Sequence, residues 1–221
     1  MKKYITILFL LSLTLIKAQN NQEVFLSLGK PSFNEKDKNK NNYSIGAHYI
    51  HKTFKSFSFE GYFEYAQDKN MPSFINDSAA LDQFIKTQTR ASIIGNTLWS
   101  NIHYFALGSK VHYTFINTDN FIFSFFGGLG YQFSNSEIFT LNRFGSIQDT
   151  GEIIEFDSTI RTESENSFFT TIGLRFSYAV QKKYTIGLVA NLHNPIIDGV
   201  IINGPEVTTN YNLGITIGKQ F

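Results

Sequence analysis

The sequence predicts an all-β chain, an eight-stranded antiparallel up-and-down transmembrane β-barrel, and three observations carry that expectation. Apolar residues alternate with small or polar ones at period two through eight segments. The connections between these segments alternate long and short, beginning long. The second face of the segments, which a soluble sheet would turn to water, is almost free of charge.

The strands read in order as follows. Val24, Leu26 and Leu28 alternate with Phe25, Ser27 and Gly29, and Tyr43, Ile45, Ala47 and Tyr49 make the second segment. Phe57, Phe59, Gly61, Phe63 and Tyr65 make the third, and Phe105, Leu107, Val111, Tyr113 and Phe115 the fourth. The fifth holds Phe121, Phe123, Phe125, Leu129, Tyr131 and Phe133; the sixth holds Phe168, Ile172, Leu174, Phe176, Tyr178 and Val180. Tyr184, Ile186, Leu188, Ala190 and Leu192 form the seventh, and Tyr211, Leu213, Ile215, Ile217 and Phe221 the eighth. The connections fall at 30–42, 52–56, 67–100, 116–120, 135–167, 181–183 and 194–207. An even strand number with tight turns at one end and long loops at the other is the order of an up-and-down barrel.

Composition narrows the class further. The chain has 221 residues, no Cys, 16% aromatic and 17% charged residues, and a net charge of +1. That balance excludes a disordered polyelectrolyte and gives no basic surplus for nucleic acid. The absence of Cys removes disulfide scaffolds, thiolate metal sites and Cys nucleophiles. Lys2 and Lys3 precede an apolar stretch from Tyr4 to Ile16, followed by Lys17 and Ala18. This is the pattern of a secretory signal peptide over 1–18, leaving 19–221 as the barrel domain. Without Lys2, Lys3 and Lys17 the net charge falls by three, from +1 to −2. No later stretch is apolar enough for a membrane helix, so membrane residence requires strands.

Which face meets lipid follows from the composition of the other. A water-facing surface carries about 25–35% charged residues. The second face instead carries Gly, Ser, Thr, Ala and Asn, with four charges only: Glu60, Glu64, Lys110 and Arg175. Small neutral side chains suit the narrow interior of eight strands, so the apolar face points to lipid. Tyr43, Phe57, Phe115, Phe121 and Tyr184, near strand ends, suit an aromatic girdle.

The architecture resembles the small eight-stranded outer-membrane barrels of OmpA and OmpX type, and the PorT-like outer-membrane β-barrel domain. The last strand, Tyr211-x-Leu213-x-Ile215-x-Ile217-x-Lys219-x-Phe221, is the most local element of the likeness. Lys219 stands where that family more often has an aromatic or apolar residue. The resemblance implies a Gram-negative outer membrane, the terminal aromatic Phe221 as the signal read by the assembly machinery, and lipid and lipopolysaccharide as surroundings. It also implies that the long loops, near 30–42, 67–100, 135–167 and 194–207, face outward.

The four interior charges are the candidate site. Glu60, Glu64, Lys110 and Arg175 stand at similar heights counted from the short turns, so two acids meet two bases. A salt-bridged plug is the expected role, because a lone buried charge is expensive. The alternative is a polar gate. The histidines at 48, 51, 103, 112 and 193 lack metal-ligand spacing; His48 and His112 are placed in the interior near Glu64. Asp149-Thr150-Gly151 reads as a turn, and the glycines at 127–130 as strand glycines rather than a phosphate loop. No motif places a Ser–His–acid nucleophile at a strand end. No metal or cofactor is expected.

The third long loop holds seven acids (Glu137, Asp149, Glu152, Glu155, Asp157, Glu163, Glu165) against Arg143 and Arg161, a net of −5. Alternation continues through Ile138, Thr140, Ile154, Phe156 and Ile160, which predicts a protruding hairpin with an edge open to strand addition. The first loop is basic through Lys30, Lys36, Lys38 and Lys40 and faces anionic headgroups or water. Asp77 or Ser78 caps a short helix through Lys86. The expected function is non-enzymatic: a monomeric structural, adhesion or partner-binding protein acting through its external loops. The alternatives are a narrow pore gated by the interior charges and a lipid-modifying enzyme.

Overall fold

A computed structural model of the chain describes residues 22–32, 42–53, 56–69, 71–88, 99–181, 183–196 and 210–221. The strands are β1 (Gln22–Ser32), β2 (Tyr43–Lys52), β3 (Phe57–Lys69), β4 (Trp99–Asn117), β5 (Phe121–Ser146), β6 (Ile153–Val180), β7 (Tyr184–Ile196) and β8 (Asn210–Gln220). Each pairs antiparallel with the strand before it, and β8 returns to β1 from Glu23↔Gln220 to Ser32↔Tyr211. The ring is closed, with the Phe221 N–H donating to the Gln22 carbonyl at 2.9 Å beside the seam. Closure gives every strand two hydrogen-bonded neighbours, which the hydrocarbon of a bilayer demands. The expected signal peptide lies outside the described residues, as do most of the first and fourth long connections.

The faces are inverted relative to a soluble protein. Leu129, Phe168 and Leu213 point outward at 60–65% exposure, and the aromatic residues expected in the girdle are exposed with them. The buried side is polar: Ser44, Ser124, Gln132, Thr171, Ser177, Thr185 and Thr216 are all nearly inaccessible. An apolar surface of this extent surrounding a polar interior is stable when lipid is the solvent. The result is a transmembrane β-barrel. No described helix is long and apolar enough to cross a membrane.

Strand lengths are unequal: the protruding hairpin expected from the sequence is present, and only the connection drawn around it is shorter than expected. The connection expected over 135–167 is mostly strand. β5 and β6 have 26 and 28 residues, where about 9–11 cross a membrane. They continue as a hairpin from Ser134↔Glu165 to Ser146↔Ile153, with register shifts after Leu141 and Gly145. The reason is the persistent alternation noted above, which outlasts the lipid-facing part. At the tip, the Gly151 N–H donates to the Ile147 carbonyl at 2.8 Å. Gly151 takes φ 69°, which a residue without Cβ adopts freely, so Asp149-Thr150-Gly151 is a turn.

Between β3 and β4 lie a 3₁₀ turn (Ser73–Asn76) and helix α1 (Ser78–Lys86). The Asp77 carboxylate accepts from the Ala79 and Ala80 N–H groups at 3.0 and 3.2 Å, satisfying two donors that the first helical turn leaves open. Ile75, Leu81 and Ile85 pack on Phe139 of β5 and Ile153 of β6, with Phe74, Phe84 and Trp99 around them. This second apolar core sits at the long-loop end and ties the helix to the hairpin.

Candidate functional site

The lumen holds a stack of charged and aromatic side chains, built because inward positions recur every second residue along each strand. Glu60 of β3 and Lys110 of β4 are cross-strand partners, and Lys110 Nζ lies 2.7 Å from Glu60 Oε1. His48 Nδ1 is 2.9 Å from that oxygen, and His112 Nε2 is 2.7 Å from Oε2. The Glu60 carboxylate, 2% exposed, is thus held by three nitrogen groups. Lys110 also lies 3.9 Å above the Tyr62 ring, which shields the cation with a π face. Gly128 makes room for it: a Cβ there would run into the Ser109 carbonyl and the Lys110 stem.

Nearer the short turns, Arg175 of β6 donates to both carboxylate oxygens of Glu23, and Thr185 Oγ1 donates to Glu23 Oε1 at 2.8 Å. The guanidinium stands 4.1 Å from the Phe25 ring, and Phe25 stacks on His48 at 4.3 Å. Toward the long loops, Glu64 accepts from Tyr104 Oη at 3.2 Å and from Asn212 Nδ2 at 3.3 Å. Tyr62, Ala66, Tyr104, Ala106 and Phe169 then form an apolar plug, with His193 stacked on Phe169 at 4.9 Å.

Of the four charges expected to meet, Glu60 and Lys110 pair, while Arg175 and Glu64 take other partners. Counting residues from the turns ignores barrel shear, which displaces equal counts to unequal heights and different sectors. His48 and His112 reach the interior but serve Glu60, not Glu64. Glu23 escapes a reading that starts the first strand at Val24, although its parity with Phe25 and Ser27 marks it as inward. Phe221 follows β8 directly, its ring under Lys219 Nζ at 4.7 Å, so the departing lysine covers the terminal aromatic.

Chemically the network is a set of buried, mutually paired charges and hydrogen-bonded histidines. Ser27 Oγ lies 2.8 Å from His48 Nε2, so Ser27, His48 and Glu60 share the connectivity of a nucleophile, base and acid. Ser27 is buried against Gly46, where a Cβ would strike both Ser27 Oγ and His48 Nε2. Glu60 meanwhile spends its charge on Lys110 and His112. Among the described residues no group of His, Asp and Glu is placed to hold a metal ion.

No family model matches the chain, and no curated protein matches its sequence. Solved structures do. A major outer-membrane protein from Thermus thermophilus superposes with a TM-score of 0.52 at 8% identity, covering 90% of this chain and 99% of that one. The fold is that of the small outer-membrane barrels. Neisserial surface protein A is similar with a TM-score of 0.50 at 10% identity, over 90% of this chain and 96% of that one. At such identities the shared feature is the barrel.

Proposed function

We propose that the chain is exported through removal of residues 1–18 and resides in the outer membrane of a Gram-negative bacterium. There it acts without catalysis, as a structural and partner-binding surface protein. The short turns face the periplasm and the long connections face outward. Phe221 serves as the assembly signal, and lipid and lipopolysaccharide surround the belt.

One observation carries this reading. Side chains occupy the lumen, and the β5–β6 hairpin rises from the outer end as the largest feature there among the described residues. Above Phe168↔Ile196, β7 no longer pairs with β6, and over Ile160–Ser167 the only strand paired with β6 among the described residues is β5. A sheet edge in that position accepts an extended segment of a partner. The hairpin's acids on one row (Glu155, Asp157, Glu163, Glu165) favour a basic one.

Replacing residues 138–161 by Asn-Gly joins Glu137 to its cross-strand partner Thr162 and keeps the β5 and β6 pairing below them, while removing with the hairpin the seat of α1 on Phe139 and Ile153. Cells displaying the shortened chain are expected to lose the adhesion to surfaces and cells that the full chain confers, while the protein still fractionates with the outer membrane. Undiminished adhesion by the shortened chain would remove the hairpin from the function. In a planar bilayer the purified full chain is expected to pass no steady current. A stable open level would replace this reading with that of a pore gated at Glu60 and Lys110.

A further inference from the structure

We propose that a cleft on the outer wall of the barrel, at the level where the girdle ends, binds the saccharide headgroup of a membrane glycolipid. This rests on the outer-membrane placement proposed above. The cleft has a volume of about 880 Å³ and is lined by Tyr65, Gln67 and Lys69 of β3 and by Trp99, Asn101 and His103 of β4. Met71–Ser73 roof it, and Glu137 of β5 closes its side. A volume of this order holds a few sugar rings.

Six of its β3 and β4 residues have the parity of the lipid-facing row, while the cross-strand pair Asp68 and Ile102, of the opposite parity, lines its inner side, so the cleft opens mainly sideways toward neighbouring lipids. Its lower edge is aromatic: Tyr65 packs on Phe105 at 4.9 Å and on Tyr43 at 6.1 Å. Tyrosines at such a height mark the boundary between hydrocarbon and headgroups. Above them the wall turns polar within two residues along each strand, which lipid tails would not tolerate and sugar hydroxyls would.

The polar groups are already oriented. Tyr43 and Tyr65 both donate to Gln67 Oε1, at 3.2 and 3.1 Å, which leaves the Gln67 amide –NH₂ as a donor to spare. Asn101 accepts from the Met71 N–H at 3.1 Å and donates to Glu137 Oε2 at 3.0 Å, which leaves Glu137 Oε1 as an acceptor. Lys69 and His103 make no side-chain hydrogen bond or ion pair with another described residue. The wall therefore presents a fixed amide donor, a carboxylate acceptor and two basic groups beside a half-buried Trp99. Paired planar donors and acceptors match vicinal hydroxyls, the basic groups match a phosphate or carboxylate on the sugar, and the indole offers an apolar surface to ring C–H groups.

Trp99 is the only tryptophan in the chain, so its emission reports on this cleft and on the apolar core beside it. The refolded full chain in detergent micelles is titrated with a lipopolysaccharide carrying core sugars, with the free core oligosaccharide, and with phosphatidylglycerol. A saturable emission change is expected with the lipopolysaccharide. The Gln67→Ala/His103→Ala variant is expected to need about tenfold more ligand, as loss of two hydrogen bonds implies. An equal response to the free oligosaccharide would support the same site with a soluble saccharide as its source. A response no different from that of phosphatidylglycerol, or unchanged affinity in the double variant, would overturn the proposal. Membrane fractionation and the heat-dependent gel shift of each variant, followed in parallel, separate a failed cleft from a failed membrane placement.

Discussion

Glu60→Gln is expected to destabilise the folded barrel by about 3–5 kcal/mol, the usual cost of removing one partner from a buried ion pair. The carboxylate is shared by Lys110, His48 and His112, and none of the three has water to turn to. Urea titration of the refolded protein in vesicles, followed by circular dichroism, measures the loss. The replacement Glu60→Leu/Lys110→Met removes both charges, and it is expected to regain most of the lost stability, since apolar substitutes for a buried pair are often neutral. His48 and His112 keep Ser27 and Ser124 as neighbours in that variant. If single and double variants were equally unstable, the pair would not be what orders the lumen.

The second large effect concerns the outer wall. Leu107→Arg is expected to cost about 2–4 kcal/mol, because Leu107 lies midway along the apolar belt between Phe63 and Tyr131. Ile160→Arg, at a position of similar exposure on the hairpin, is expected to change stability by no more than about 0.5 kcal/mol. The contrast locates the bilayer, since both residues face outward and differ only in height. Equal tolerance at the two positions would mean that water, not lipid, bathes the belt.

Much of this architecture is legible in the sequence because the barrel writes its two environments directly into a period of two. Phe57, Phe59, Phe63 and Tyr65 announce lipid, and Glu60 and Glu64 between them announce the lumen. Partner choice inside is less legible. Arg175 meets Glu23 across the lumen, 152 residues away, through a geometry set by shear that residue counts along one strand do not contain. The helix is readable from Asp77 as a cap, whereas its seat on Phe139 and Ile153 depends on how far the hairpin rises. The cleft is hidden for a related reason: Gln67, Lys69 and Trp99 fall in a run expected to be loop, where nothing marks which side of a strand a residue takes.

The seam has a consequence for the order of assembly. Glu23 pairs with Gln220 in the β1–β8 ladder, so it takes its final place only when the first and last strands meet. Contacts that distant in sequence are the costliest to close and the slowest to form. Until then Arg175, carried inward by β6, lacks its carboxylate, and the Phe25 ring that flanks it is likewise borne by β1. An incomplete ring therefore carries an uncompensated cation into a medium that penalises it, and sealing the seam cancels the charge. The Arg175–Glu23 pair is thus tied to circumference, since it is complete in the closed ring, where β1 lies against β8.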